Sequence, residues 1–195
     1  SKKDGYRAAC EALEKLVGTL EPESPLPPFT INILGDFNLA GELWILREYY
    51  RRIGVNIHAG ITGDGRVDAI RSCHRAALNV VQCSGSMSAL ALKMEEKYGI
   101  PFKHVSYFGI EDMSAALYEV ANFFNSPELI KHTAELVSEE LGRLMPMLED
   151  YRRKLSGARA VIYVGGAFKA ISLIKALRLL GIQTVVAGSQ TGRKE

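Results

Sequence analysis

Apolar and polar positions alternate between two periods along this chain, and the switching predicts its elements. From Tyr6 to Val17, apolar residues at Ala9, Leu13, Leu16 and Val17 repeat at helical spacing and need a partner surface. Leu20–Pro28 carries four prolines and two acids and reads as a linker. Short apolar runs then alternate with helix-like stretches. The spacing predicts strand Phe29–Gly35, helix Ala40–Ile53, strand Val55–Ile61, helix Arg66–Arg75 and strand Ala77–Gln82. A helix from Gly85 to Lys97 follows, stopped by Tyr98-Gly99, with a fourth strand over Lys103–Phe108 and a helix over Met113–Phe124. Strands separated by single helices imply an α/β fold with a Rossmann-like parallel sheet flanked by helices.

The pattern changes at Ser126. Ser126-Pro127 is a helix start, with a serine N-cap and a proline in the first turn, and Leu129, Thr133, Leu136, Val137, Leu141 and Leu144 continue the stripe. Pro146 is expected to kink or split that helix before Leu148–Leu155 resumes it. After Ser156-Gly157 come strand Arg159–Val164, helix Phe168–Leu180 and strand Gln183–Ala187. Two strands rarely form an independent domain. The organisation is therefore an entry helix and linker (1–28), a Rossmann-like domain (29–125), a helical connector (126–157) and the start of a second, partial βαβ unit (158–195), as in a fragment of a longer subunit.

Composition narrows the function. With 195 residues and 47% hydrophobic content, the chain can bury one sizeable core. A net charge of +2 gives neither nucleic acid nor an anionic membrane surface an electrostatic handle. Lys175 and Arg178 interrupt the most apolar C-terminal stretch, and Ser1-Lys2-Lys3-Asp4 lacks a signal-peptide core, so a cytoplasmic location is expected. Cys10, Cys73 and Cys83 are odd in number and far apart, which argues against a disulfide framework or a zinc knuckle.

Cys83 is the candidate with chemistry. It ends a buried strand and precedes a helix, where a positive dipole lowers a thiol pKa and presents a thiolate to a soft metal. Position alone favours the alternative, a small buried cysteine packed as an apolar residue. The turns Gly35-Asp36, Thr62-Gly63-Asp64-Gly65 and Gly165-Gly166 follow strands, yet none supplies a dinucleotide or P-loop motif, so nucleotide binding is not expected. Gly63 and Gly65 read as tight turns; Gly35 and Gly165-Gly166, with Lys169 just beyond, fit a binding edge better. His58, His74, His104 and His132 show no metal-ligand spacing, and His74 reads as a hydrogen-bonded structural histidine. Cys73 reads as core, and Trp44, Tyr49 and Tyr50 read as packing groups beside Leu39, Leu43, Leu46 and Ile53.

Four segments, INILGDFNLAGELW (31–44), TGDGRVDAIRSCHRA (62–76), LNVVQCSGSMSALALKMEEKYGIPF (78–102) and YFGIEDMSAAL (107–117), together resemble the α-subunit side of the nitrogenase component family. GYRAACEALEKLV (5–17) and YVGGAFKAISLIKALRLLG (163–181) fit the same family. Within it the chain looks most like the E-type subunits of the scaffold on which the iron-molybdenum cofactor is assembled. By that resemblance Cys83 matches the cysteine that binds one end of the cofactor, and Ser86 a serine just beyond it. Phe37 and Leu39 match cavity side chains, Gly165 and Gly166 the glycines that let backbone approach the cluster, and Lys169 a basic residue of that loop with an offset of one position.

The resemblance implies a non-catalytic scaffold, with an iron-sulfur precursor cluster as cargo, to which molybdenum and homocitrate are added during maturation. It also implies a homologous N subunit as partner in a heterotetramer, the nitrogenase iron protein and a cluster-delivery protein. The family's catalytic subunit has an aromatic residue and an arginine after the ligand cysteine; Ser84 and Gly85 stand there in this chain, implying a roomier, less cationic site. The cluster is expected to be absent from the isolated fragment, because further ligands and walls would lie outside it. Other readings are the catalytic α subunit of nitrogenase, a related tetrapyrrole reductase subunit, and an association module in which Cys83 only packs.

Overall fold

The computed structural model describes residues 2–82 and 87–191. Two compact units divide the chain: Ser1–Val105 with Ala121–His132, and Ser106–Val120 with Thr133–Glu195. Fold class matches the expectation from periodicity in both.

The first unit opens with α1 (Lys2–Leu16) and builds a parallel sheet from β1 (Thr30–Asp36), β2 (Asn56–Thr62), β3 (Leu78–Val81) and β4 (Phe102–His104). The strand order is β2-β1-β3-β4. Every residue of β1 and β3 is buried, as central parallel strands covered on both faces require. One face packs Leu34, Ile61 and Val81 against Cys10 and Val17 at the α1 end, Ile70 of α3 (Val67–Ser72), and Leu90, Ala91 and Met94 of α4 (Ser88–Tyr98). Cys73 lies in the same core, as expected.

The helix α2 (Glu42–Ile53) buries Leu43, Leu46, Tyr50 and Ile53, a spacing of three and four that keeps one stripe inward. Trp44 departs from its expected packing role and is 63% exposed, and Leu39 is 89% exposed. The physical reason is angular: one residue along a helix turns about 100°, so position 44 leaves the stripe that 43 and 46 define.

In the second unit, α5 (Ile110–Phe123) contributes its first part and α6 (Pro127–Leu155) most of its length. Ser126 Oγ accepts the Leu129 amide at 3.4 Å, the N-cap bond expected of it. Of the kink or split expected at Pro146, the split does not occur: the helix runs on through it as one element. A proline removes the hydrogen bond to the carbonyl four residues back; that residue is Gly142, which is exposed, so water can serve its oxygen. Strands β5 (Arg159–Gly166) and β6 (Gln183–Thr191) pair in parallel, joined by α7 (Ala167–Leu179). The strand β6 is longer than its apolar run, and within it Gly188 leaves room for the Tyr163 ring: a Cβ there would lie 2.8 Å from it. Conversely β4 stops at His104. Val105 still donates to Val81 O at 3.0 Å, but Ser106 Oγ then takes the Phe108 amide at 3.2 Å and turns the chain toward α5. Among the described residues no helix is long and apolar enough to cross a membrane.

Candidate functional site

The order β2-β1-β3-β4 places the topological switch between β1 and β3, since the chain leaves β1 toward β2 on one side and returns to β3 on the other. Ligands of open α/β sheets bind beyond the carboxyl ends of strands at that switch. Three chain segments converge there in the first unit.

The end of β1 is locked from both sides. Gly35 has φ 87°, a left-handed conformation that fits the irregular register between Leu34 and Asp36. Asp36 is 3% exposed; its carboxylate accepts the Asn38 amide at 2.7 Å, and Asn38 Oδ1 accepts the Leu43 amide at 3.1 Å. Burial pushes the Asp36 carboxyl above its ordinary range, the Asn38 amide partly countering this, while Glu42 adds to the rise. The backbone that carries Phe37 is thus anchored before and after it. Phe37 itself is 39% exposed.

The turn after β2 closes on the same segment. Gly63 donates to Asp36 O at 2.7 Å, and a Cβ on Gly63 would sit 2.6 Å from both the Asn38 nitrogen and the Phe37 carbonyl carbon. Close backbone approach explains this glycine, as the tight-turn reading requires. Asp64 in that turn lies 3.8 Å from Arg47 of α2.

At the end of β3, Gln82 donates its amide to Leu34 O at 2.9 Å, continuing the β1–β3 ladder one residue beyond the strand. Its side-chain Oε1 is buried and has no hydrogen-bond partner among the described residues. Residues 83–86 lie outside the described residues, and with them Cys83 and Ser86. The chain resumes at Met87, 1% exposed in the core. Sequence reading treated Gln82 as strand and missed its orphaned oxygen; the signal was a polar residue closing an apolar run. Asp36 was read only as part of a glycine turn, and its burial leaves no mark in one sequence.

The second unit holds the remaining candidates. Gly165 and Gly166 belong to β5 and not to a turn after it: Gly166 pairs with Thr191, and α7 starts at Ala167. A Cβ on Gly165 would meet nothing within 4 Å, and its φ is not positive. No internal packing therefore demands glycine there, which suits a strand end approached by an external group. Lys169 is exposed in the first turn of α7, its Nζ 5.4 Å from the centroid of the Phe108 ring.

The donor set is soft and sparse. Cys10 and Cys73 are buried in the core, and burial pushes the Cys73 thiol up to about 12. No group of three or more His, Cys, Asp or Glu suited to a metal ion occurs among the described residues. His74 bonds Glu21 at 3.1 Å and His58 bonds Ser72 Oγ at 2.9 Å, both structural roles. An ordinary iron-sulfur cluster takes four cysteines, one more than the three in this chain.

The family model described as nitrogenase component 1 type oxidoreductase matches residues 1–195. The nitrogenase iron-molybdenum cofactor biosynthesis protein NifE of Clostridium pasteurianum is 47% identical over the whole chain, which spans 42% of that relative. The nitrogenase molybdenum-iron protein alpha chain of Methanosarcina barkeri is 37% identical, with 36% of its length covered. A solved structure titled "Nitrogenase Cp1 at pH 5" superposes with TM-score 0.92 at 30% identity, covering 99% of this chain and 39% of that one.

Proposed function

Because the chain belongs to the nitrogenase component 1 type oxidoreductase family, we propose that it is the cargo-holding part of a scaffold subunit for iron-molybdenum cofactor biosynthesis. The single observation that carries the reading is the ladder bond from Gln82 to Leu34 at the switch of the sheet, because residue 83 follows at once. In this reading the Cys83 thiolate ligates one iron of an iron-sulfur precursor cluster. Phe37 and Leu39 supply apolar wall, Ser86 a hydroxyl, Gly165 and Gly166 accessible backbone, and Lys169 a cation against the cluster's negative charge.

One protein thiolate and few cations favour eventual release. A scaffold must accept a precursor, hold it while molybdenum and homocitrate are added, and give it up. Ser84 and Gly85, in place of an aromatic residue and an arginine, remove bulk and charge beside the ligand. The partners follow from the same reading: a homologous N subunit, the nitrogenase iron protein and a cluster-delivery protein, all in the cytoplasm. The higher identity to the biosynthesis protein than to the catalytic chain supports it.

The 37% identity to a nitrogenase alpha chain keeps one second reading, the catalytic α subunit. Anaerobic purification of the full-length subunit in its native complex separates the two. The scaffold reading expects a precursor cluster that transfers to cofactor-free nitrogenase and no reduction of acetylene or dinitrogen with iron protein and reductant. Sustained reduction by the complex itself would replace it with the catalytic reading.

A further inference from the structure

Lys169 is the cation at the start of α7, and its Nζ lies over the Phe108 ring, 5.4 Å from the centroid. An ammonium over a ring at an exposed site gains only about 0.5–1 kcal/mol. That is enough to bias where the side chain rests, and it leaves the full positive charge available to an anion.

The seat under Lys169 is itself held by a continuous polar chain. The Phe108 amide donates to Ser106 Oγ at 3.2 Å, and Ser106 Oγ lies 3.1 Å from Ser172 Oγ. Ser172, 2% exposed, donates to Asp112 Oδ2, and Lys175 donates to Asp112 Oδ1 at 2.5 Å. Burial alone would raise the Asp112 carboxyl, but the hydrogen bonds from Lys175 and Ser172 and the ammonium charge outweigh it and hold it below its ordinary range. Lys169, Ser172 and Lys175 recur every three residues, so one face of α7 meets the 106–112 segment at three successive levels.

We propose that Asp112 and Phe108 are positioning residues for Lys169: the 106–112 segment clamps α7 through Ser172 and Lys175 and seats the Lys169 ammonium beside the Gly165-Gly166 strand end, where it meets an anionic cluster. This deepens the scaffold reading and rests on Lys169 facing the cargo. Neither residue touches the cluster; both act through the lysine.

The test uses the full-length subunit in its native complex, loaded with precursor cluster, with iron loss to a chelator followed in time and the cluster spectrum recorded by EPR. Lys169→Gln should speed iron loss several-fold, and Asp112→Asn and Phe108→Leu should each speed it by less, with the same change in spectrum. If both act through the lysine, Asp112→Asn or Phe108→Leu added to Lys169→Gln should change nothing further. Effects that add in the double variants, or single variants equal to wild type while Lys169→Gln is impaired, would overturn the inference and leave the scaffold reading standing. A Lys169→Gln complex identical to wild type would remove Lys169 from the site, and this inference with it. Should Asp112→Asn fail to assemble, Phe108→Leu decides alone, since that ring is 39% exposed.

Discussion

Asn32 of β1 and Asn79 of β3 face each other in register at the centre of the sheet, both 0% exposed, with Asn32 Nδ2 2.9 Å from Asn79 Oδ1. The same Nδ2 also donates to Cys73 O at 2.9 Å, and Asn79 Nδ2 reaches Met94 Sδ at 3.7 Å. This network fixes the register of the two strands that flank the switch. Asn32→Ala strands the buried Asn79 Oδ1, while Cys73 O keeps the Ala76 amide at 3.2 Å, and should lower unfolding stability by about 1–3 kcal/mol. Denaturant midpoints at constant slope check this; a loss under about 0.5 kcal/mol would remove the network from the account.

Gly63 and Gly165 should separate stability from binding. Gly63→Ala drives a Cβ into the backbone at Phe37 and Asn38, so thermal stability and cluster content should fall together. Gly165→Ala meets open space, so stability should stay within about 0.5 kcal/mol of wild type while cluster content drops. Unchanged loading in Gly165→Ala would show that the strand end is not a cluster wall.

The raised Asp36 carboxyl predicts the sign of a pH effect. A folded-state value above the ordinary 3.8 means that the carboxyl's contribution is fully present below that pH and is lost as pH rises through the raised value. Asp36→Asn keeps an acceptor for the Asn38 amide and cannot ionise. Its stability relative to wild type should therefore grow from about pH 4 upward and then level off. A difference that shrinks over that range would contradict the assignment; chemical denaturation at several pH values measures it.

Thiol reactivity should follow burial. Cys10, 3% exposed, and Cys73, 0% exposed with its thiol raised to about 12, should resist alkylation in the native protein and react only on unfolding. Under the scaffold reading Cys83 reacts first in the cluster-free complex and is protected once cargo is loaded. Mass spectrometry of the labelled protein reads all three sites at once.

Much of this architecture is legible in sequence because buried parallel strands and amphipathic helices have distinct periods. The alternation from Phe29 to Gln82 therefore yields the sheet. Whether Pro146 splits its helix depends on whether Gly142 faces water, which periodicity does not encode. Trp44 misleads because an aromatic residue beside an apolar stripe reads the same whether it points in or out. At the site, glycines, a cysteine and a lysine carry recognisable chemistry. The roles of Asp36, Gln82 and Asp112 arise from long-range contacts such as Asp112 with Ser172, 60 residues apart, which no local pattern announces.

The central claim, that Cys83 tethers the cargo, is tested most directly by iron and sulfide analysis of wild type against Cys83→Ala in the full-length native complex. The account predicts that the variant assembles with its partner yet loses most of the precursor cluster's iron and sulfide. Equal cluster content in the two proteins would contradict it.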